Sequence, residues 1–351
     1  MLFNKVYLGV LIICFIILSC KKKNVETNEQ VLSISEGYLV LNEGLFNQNN
    51  ASLTWYDGKT GNVTLDVFQT NNQRGLGDTG NDMMRYGDKI YVVVNVSSII
   101  EVLDANTLKS VKQIPMIAGN KSKQPRNILG YGSNVFVSCF DGYVDVIDTV
   151  SFQIIKRIKV GDNPENLCLL NQQLLVANSG GLNPPQMDST ISIVDLNMLS
   201  EVKRIIVGIN PGNIIKGLKD HVYVISRGNY NDVVPRWKLV NVISGEIEKN
   251  FNENILNMEI FQDSLLLINT NNKSLSLFSM KKNTSKLNDF ISLSGFVNLY
   301  NIQFLPNKNE ICITDANGYV NQGYVSIFDT NGKLKEKFKV GLNPSKIICY
   351  E

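Results

Sequence analysis

Seven short apolar runs recur along the sequence at a spacing of roughly 45 residues, and this repeat constrains the fold more than any other feature. The runs are rich in Val, Ile, Leu and Tyr, as β-strands are. They are YLVLN (38–42), YVVVN (91–95), VFVSC (135–139), LLVAN (174–178), VYVIS (222–226), LLLIN (265–269) and ICITD (311–315). A second β-like run follows each of them, and no long segment has the periodicity of a helix. This spacing is typical of β-propeller blades with four strands each.

The repeat predicts an all-β fold, a seven-bladed β-propeller spanning residues 34–351. The last unit, NPSKIICYE, supplies only one inner strand, whereas GYLVLNEG near the start begins with a second strand. We therefore expect the N- and C-terminal strands to pair and close the ring, because closure leaves no sheet edge open. Two separate all-β domains are the alternative.

A second repeat, Val-Gly-x-Asn-Pro, occurs as VGDNPEN (160–166), VGINPGN (207–213) and VGLNPSK (340–346). Each copy follows an outer strand and precedes the inner strand of the next unit. Glycine permits backbone conformations that other residues avoid, and proline is expected to hold the preceding Asn extended. We interpret the motif as an architectural turn between blades.

The composition argues against several classes of function. The chain of 351 residues has one histidine and a net charge of +2, so neither histidine-rich metal sites nor nucleic-acid binding is expected. The nucleophile motif G-x-S-x-G and the haem motif C-x-x-C-H are missing. We expect no cofactor, no metal and no catalytic residue.

The N-terminus carries the signs of an export signal. A lysine, an apolar run over 6–18 and a small residue before Cys20 are typical of a secretory signal peptide. The segment LSC followed by KKKN resembles a bacterial lipoprotein box, which implies a signal peptide over 1–19, a lipid on Cys20 and a flexible tether over 20–33. An uncleaved anchor helix or a plain signal peptide is the alternative. The expected location is the outer membrane, at the cell surface or on the periplasmic face.

Four cysteines follow the tether, and each lies in an apolar β-like run. They are Cys139, Cys168, Cys312 and Cys349. Buried free thiols are expected, because unpaired cysteine behaves as a small apolar residue. An even number in an exported protein leaves a disulfide as the alternative.

The units LLVANSGG, ISIVDL and VGINPGN resemble the YVTN type of propeller repeat found in YncE-like proteins. Segments such as LGDTGNDMMRYGDKIYVVVN, VYVISRGNY and ITDANGYVNQGYV are similar to the BtuG type of surface lipoprotein. The second resemblance implies capture of cobalamin or another corrinoid and its transfer to a TonB-dependent outer-membrane transporter. It also implies attachment to the membrane through the lipid anchor.

Loops that join second to third strands are the expected binding elements, because a rigid scaffold leaves its loops free for recognition. A corrin ring needs flat apolar contacts and many neutral hydrogen-bonding groups. The candidates for the first are Phe46, Tyr230, Trp237 and Tyr319, and those for the second are Asn42, Asp78, Asn81, Asn95, Asn178, Arg227 and Asp315. Asn at strand ends also favours turns, and Trp237 can instead pack between blades. His221 is expected at a surface turn on the opposite side.

Two other functions stay open. A scaffold that binds another nutrient or a protein partner uses the same fold. A lactonase-type enzyme would need a metal held by inward carboxylates, for which Glu43, Asp78, Asp82 and Asp315 are the candidates.

Overall fold

The computed structural model describes residues 34–269 and 273–351, which form seven four-stranded antiparallel sheets. The signal peptide, Cys20 and the tether lie outside the described residues. The first strands are β1 (Gly37–Asn42), β2 (Ser52–Asp57) and β3 (Val63–Thr64), followed by helix α1 (Val67–Asn72). Blade 2 contains β4 (Gly80–Tyr86), β5 (Lys89–Val94), β6 (Ile99–Asp104) and β7 (Ser110–Pro115). A small hairpin, β8 (Ile117–Ala118) and β9 (Lys121–Ser122), precedes blade 3.

Blades 3 to 7 follow with four strands each. Blade 3 contains β10 (Pro125–Tyr131), β11 (Asn134–Cys139), β12 (Tyr143–Asp148) and β13 (Ile154–Lys159). Blade 4 contains β14 (Pro164–Leu170), β15 (Gln173–Asn178), β16 (Thr190–Asp195) and β17 (Ser200–Ile206). Blade 5 contains β18 (Pro211–Lys216), β19 (His221–Ser226), β20 (Arg236–Asn241) and β21 (Ile247–Phe251). Blade 6 contains β22 (Ile255–Phe261), β23 (Ser264–Asn269), β24 (Ser274–Ser279) and β25 (Thr284–Ser292). Blade 7 contains β26 (Leu299–Leu305), β27 (Glu310–Asp315), β28 (Gln322–Asp329) and β29 (Leu334–Leu342).

The last strand, β30 (Pro344–Tyr350), completes blade 1 from the other end of the chain. It pairs antiparallel with β1, with Leu39 opposite Ile348, and the sheet order is β3-β2-β1-β30. The predicted propeller and its predicted closure are therefore confirmed.

Apolar layers between neighbouring blades hold the ring together. The described residues contain seven buried clusters, one at each junction between blades. Middle positions of the second and third strands are buried because both faces of a blade pack against a neighbour. This repeated burial explains why these strands are apolar without strict alternation. Within residues 34–269 and 273–351, no helix is long and apolar enough to cross a membrane.

The propeller has two faces, and we define them by their loops. The top face carries the loops from outermost to next innermost strand and from second to third strand; the bottom face carries the others. The chain enters at the bottom, where the N–H of Ile34 donates to the carbonyl of Asn106, 3.2 Å away in the β6–β7 turn. His221 begins β19 on the bottom face, as predicted, with Nδ1 3.1 Å from the carbonyl oxygen of Leu218.

The Val-Gly-x-Asn-Pro motif turns the chain across the top face. A Cβ on Gly161 would lie 2.5 Å from the side chain of Asn178, so only glycine fits there. The expectation of an extended Asn is wrong: Asn163, Asn210 and Asn343 have φ of 44°, 59° and 56°, in the left-handed region. Asparagine tolerates that region better than most residues, which explains its place in the turn.

The four cysteines after the tether are free thiols, as expected. Cys139, Cys168 and Cys312 are buried, and Cys349 is partly exposed. Burial raises the pKa of Cys168 to about 12. A neutral thiol of this kind packs as an apolar side chain.

Candidate ligand-binding face

The innermost strands surround a central channel, and the third residue of each strand points into it. These residues, which we call the channel ring, are Asp82, Asn127, Asn166, Asn213, Asn257, Asn301 and Lys346. The channel they line encloses about 410 Å³. Nδ2 of Asn213 donates to Oδ1 of Asn257 at 2.8 Å, and Nδ2 of Asn257 to Oδ1 of Asn301 at 2.7 Å. The ring therefore joins neighbouring blades through side-chain amides.

Above the channel ring, the top face opens into a cavity of about 680 Å³, which we call the vestibule. Its wall is apolar and partly exposed: Phe46, Tyr319 and Val320 expose 71%, 49% and 69% of their surface. Phe140 and Leu182 add further apolar wall. Because exposed apolar groups around a concave site are typical of ligand sites, the vestibule is the first candidate.

A second hollow of about 500 Å³, the side recess, lies on the same face beside blade 5. Tyr230, Val233 and Val234 come from the loop between β19 and β20, and Leu256 comes from β22. Tyr230 exposes 72% of its surface. The long loop SRGNYNDVVPRW thus provides an apolar site of its own.

Between the vestibule and the side recess lies a charged bridge of three side chains. Nη2 of Arg126 and Nη1 of Arg227 each lie 3.4 Å from an oxygen of the Glu165 carboxylate. Arg126 lines the vestibule and Arg227 lines the side recess. The Arg126 guanidinium also bonds to Oδ1 of Asn81 and lies 4.7 Å from the centre of the Phe140 ring. Two cations and one anion leave the bridge with a net positive charge.

A half-buried acid and a phenol also line the vestibule. Tyr300 donates its hydroxyl hydrogen to the carboxylate of Glu43 through a short hydrogen bond. Burial raises the pKa of Glu43. The hydrogen bond from Tyr300 and the charge of Arg126 lower this pKa by less, so the net shift is upward. Burial and the nearby carboxylate also raise the pKa of Tyr300. The ring of Tyr319 lies edge-on to Tyr300, with 6.3 Å between ring centres.

Several of the predicted binding residues come together on the top face. Phe46 and Tyr319 line the vestibule, and Tyr230 and Arg227 line the side recess. Asn95 also borders the vestibule, where Nδ2 donates to the carbonyl of Pro125 at 2.8 Å.

Two predicted residues support loops instead of facing the cavities. Oδ1 and Oδ2 of Asp78 accept the N–H groups of Asn47 and Asn49, each at 3.1 Å, and so hold the loop that carries Phe46. Asp315 accepts the N–H groups of Val297 and Asn298 at 2.9 and 2.8 Å.

Three other predicted residues are buried, Asn42 and Asn178 within their blades and Trp237 between blades 5 and 6, the alternative expected for it. Nδ2 of Asn42 donates to Oγ1 of Thr54 at 2.9 Å, and Nδ2 of Asn178 donates to Oγ of Ser192 at 2.8 Å. Trp237 exposes only 1% of its surface and stacks on Phe251, with 3.8 Å between ring centres. In this arrangement none of the three offers a surface to a ligand. The strand-end asparagines instead bond to the neighbouring strand.

The carboxylates considered for a metal do not gather at one point. Glu43 bonds to Tyr300, whereas Asp78 and Asp315 each bond to a different loop, around Asn47 and around Val297. Among residues 34–269 and 273–351, no group of three or more His, Cys, Asp or Glu side chains is placed to hold a metal ion.

Reasoning from the sequence missed Arg126, Glu165 and most of the channel ring. A signal was available, because Asn occurs at the same place in the innermost strands PRNIL, PENL, PGNI, ILNM and LYNI. Arg126 and Glu165 are the residues just before this Asn. Aligning innermost strands, in addition to the second strands, would have revealed both sets.

Comparison with known proteins identifies the fold and the family of this chain. No curated protein matches the sequence. A quinonprotein alcohol dehydrogenase-like protein from Bacteroides thetaiotaomicron has a TM-score of 0.69 at 14% identity, covering 91% of this chain and 79% of that one. Hydrazine synthase from Kuenenia stuttgartiensis has a TM-score of 0.56 at 15% identity, covering 76% of this chain and 88% of that one. A computationally designed protein has a TM-score of 0.59 at 11% identity, covering 90% and 91%.

At these identities the likeness to the solved structures shows the fold alone. A family model, by contrast, matches residues 36–343, nearly the whole described propeller. The chain therefore belongs to DUF5074, a family described as a domain of unknown function.

Proposed function

We propose that this protein captures a corrinoid, such as cobalamin, on its top face and passes it to a TonB-dependent transporter. The observation that carries the proposal is the pair of apolar hollows, the vestibule and the side recess, on either side of the charged bridge. Together they suit a ligand that is broad, apolar on its surfaces and polar at intervals.

The chemistry of the face supports a corrin ring. Phe46, Tyr319 and Tyr230 are exposed aromatic rings, and such rings bind flat apolar surfaces at low entropic cost. A corrin ring is fringed with amides, and each amide both donates and accepts hydrogen bonds. Neutral groups that can also donate and accept are suitable partners for them. Asn95 supplies a neutral amide group at the wall of the vestibule.

The first described residue of the propeller lies on the bottom face. The N–H of Ile34 donates to the carbonyl of Asn106 there, whereas the vestibule and the side recess open on the top face. We propose that a lipid on Cys20 anchors the protein to the membrane. We propose the outer membrane as the location and a TonB-dependent transporter as the partner.

Calorimetric titration of the full chain in detergent with cobalamin tests this function. We expect saturable binding that is weakened about tenfold by Phe46→Ala or Tyr230→Ala. The matched control is Val150→Ala on the bottom face, where Val150 exposes 83% of its surface. No binding at about 50 µM cobalamin, a concentration far above that needed for capture, would refute the corrinoid assignment.

A further inference from the structure

We infer that Arg126, Glu165 and Arg227 form an anion subsite, so that the ligand of the top face carries one singly charged oxyanion, such as a phosphodiester. This inference rests on the proposed function only in placing the ligand on the top face. It adds a chemical requirement that the aromatic walls do not impose.

The geometry of the charged bridge leaves both arginines with spare capacity. A charge-assisted bond between guanidinium and carboxylate is strongest near 2.7–2.9 Å. Arg126 and Arg227 both lie 3.4 Å from Glu165, about half an ångström farther than this. One carboxylate therefore holds two cations loosely. A second anion can bind both without first breaking a tight pair.

Arg126 also has an unused donor. Its Nε is buried and has no hydrogen-bond partner among the described residues. Buried donors without partners are costly, so a small shift of the guanidinium that brings Nε against a ligand oxygen would be favourable. The Arg126 side chain as a whole is 23% exposed and lines the vestibule, so a ligand can reach the guanidinium.

Gly212 provides the space in which Arg227 lies. A Cβ on Gly212 would be 2.2 Å from Cζ of Arg227, closer than non-bonded atoms allow. Gly212 is the second residue of β18, the same position that Arg126 occupies in β10 and Glu165 in β14. The missing side chain thus lets Arg227, from the end of β19, reach over the innermost strand to Glu165.

Glu165 acts as an internal counter-ion in this arrangement. It keeps the two guanidinium groups together while the site is empty, and its side chain is only 10% exposed. A ligand oxyanion competes with it for the same donors. Oxyanions suit such paired guanidinium groups because each can accept two parallel N–H bonds.

Two corrinoids, one with a phosphodiester and one without, provide the test. Cobalamin carries the phosphodiester within its nucleotide loop, whereas cobinamide has the same ring and lacks that whole loop. We expect cobalamin to bind the full chain at least tenfold more tightly than cobinamide, and Arg126→Gln or Arg227→Gln to weaken cobalamin severalfold while leaving cobinamide unchanged. Gly212→Ala should reproduce the effect of Arg227→Gln by displacing the guanidinium. Glu165→Gln should strengthen cobalamin binding severalfold and leave cobinamide unchanged, because it removes the competing anion.

The outcomes separate the two proposals. Equal binding of both corrinoids, with equal changes in the arginine variants, would leave corrinoid capture standing and overturn the anion subsite. If neither corrinoid binds, corrinoid capture fails, and bis(4-nitrophenyl) phosphate with its uncharged methyl triester becomes the probe pair. Binding of the diester alone, lost in Arg126→Gln, would then support the subsite, and equal binding of both esters, or of neither, would overturn it.

Discussion

The ammonium group of Lys346 lies 3.7 Å from a carboxylate oxygen of Asp82. This pair spans the junction between blades 1 and 2, where the innermost strands β30 and β4 come from opposite ends of the chain. Asp82 also accepts hydrogen bonds from Nδ2 of Asn127 at 3.2 Å and from the N–H of Ile128 at 3.0 Å. A carboxylate in blade 2 thereby links blades 1 and 3. At this junction an ion pair replaces the amide contacts that serve elsewhere in the ring.

We predict that this ion pair strengthens ring closure. Asp82→Asn alone leaves Lys346 without its main counter-ion, and Lys346→Asn alone leaves a carboxylate in the channel. Each should lower the free energy of unfolding by about 1–2 kcal/mol. This loss is smaller than the loss from breaking a fully buried pair, because 40% of the Lys346 side chain is accessible. The double variant restores an amide at both positions, as in the rest of the ring, and should lose less than the sum. Urea unfolding of the four proteins measures this coupling; additive losses would contradict it.

A second prediction concerns Glu259, the fifth residue of β22, which lines the same channel. Burial raises its pKa to about 7 from an ordinary value of 4.5, against the opposing charge of Lys346. Because the folded pKa is the higher one, the native state holds the extra proton, and stability falls as the pH rises from about 4.5 to 7. Above about pH 7 the Glu259 carboxylate is ionised, and the native state then bears the full free-energy cost of burying that charge.

Glu259→Gln should therefore stabilise the protein by about 1–3 kcal/mol at pH 8 and have little effect at pH 4. Gln303 occupies the equivalent position in β26, where Nε2 donates to the carbonyl of Ile347 at 2.7 Å, so an amide fits this layer of the channel. Thermal unfolding of both proteins between pH 4 and 8 measures the difference. A gain that does not depend on pH would rule out titration of Glu259 as its cause.

A third prediction concerns the fully buried carboxylate of Asp145 in blade 3. Nζ of Lys123 lies 2.6 Å from one of its oxygens and Nε of Arg157 lies 2.7 Å from the other. Lys123 follows the β8–β9 hairpin and is only 4% exposed, so Asp145→Asn would leave it buried without a counter-ion. We expect a loss of about 3 kcal/mol, and a smaller loss for Lys123→Met, which keeps the pair of Asp145 with Arg157. Hydrogen exchange should also accelerate in the β8–β9 hairpin; equal losses for both variants would contradict this order.

The fold was predictable because each of the seven blades repeats the same pattern of apolar strands in the sequence. Which polar residues face a ligand was harder to predict, since a shift of one residue turns a side chain to the other face of a strand. Asn42 and Asn178 stand at strand ends like Asn95, yet they bond inward to Thr54 and Ser192. The bridge of Arg126, Glu165 and Arg227 joins residues up to 101 positions apart, and only the closed ring brings them together.

The last prediction separates two aromatic residues of one loop region that the sequence could not distinguish. Tyr230 is 72% exposed in the side recess, whereas Trp237 is 1% exposed and stacked on Phe251. Tyr230→Ala should weaken cobalamin binding about tenfold and change the unfolding free energy by less than about 0.5 kcal/mol. Trp237→Ala should cost about 3–5 kcal/mol of stability, because it leaves a cavity in the core, while Trp237→Phe keeps the stack and should bind cobalamin as the unaltered protein does. Urea unfolding and calorimetry on the three variants decide the matter: a tenfold loss of affinity in Trp237→Phe would mean that the indole itself contacts the ligand.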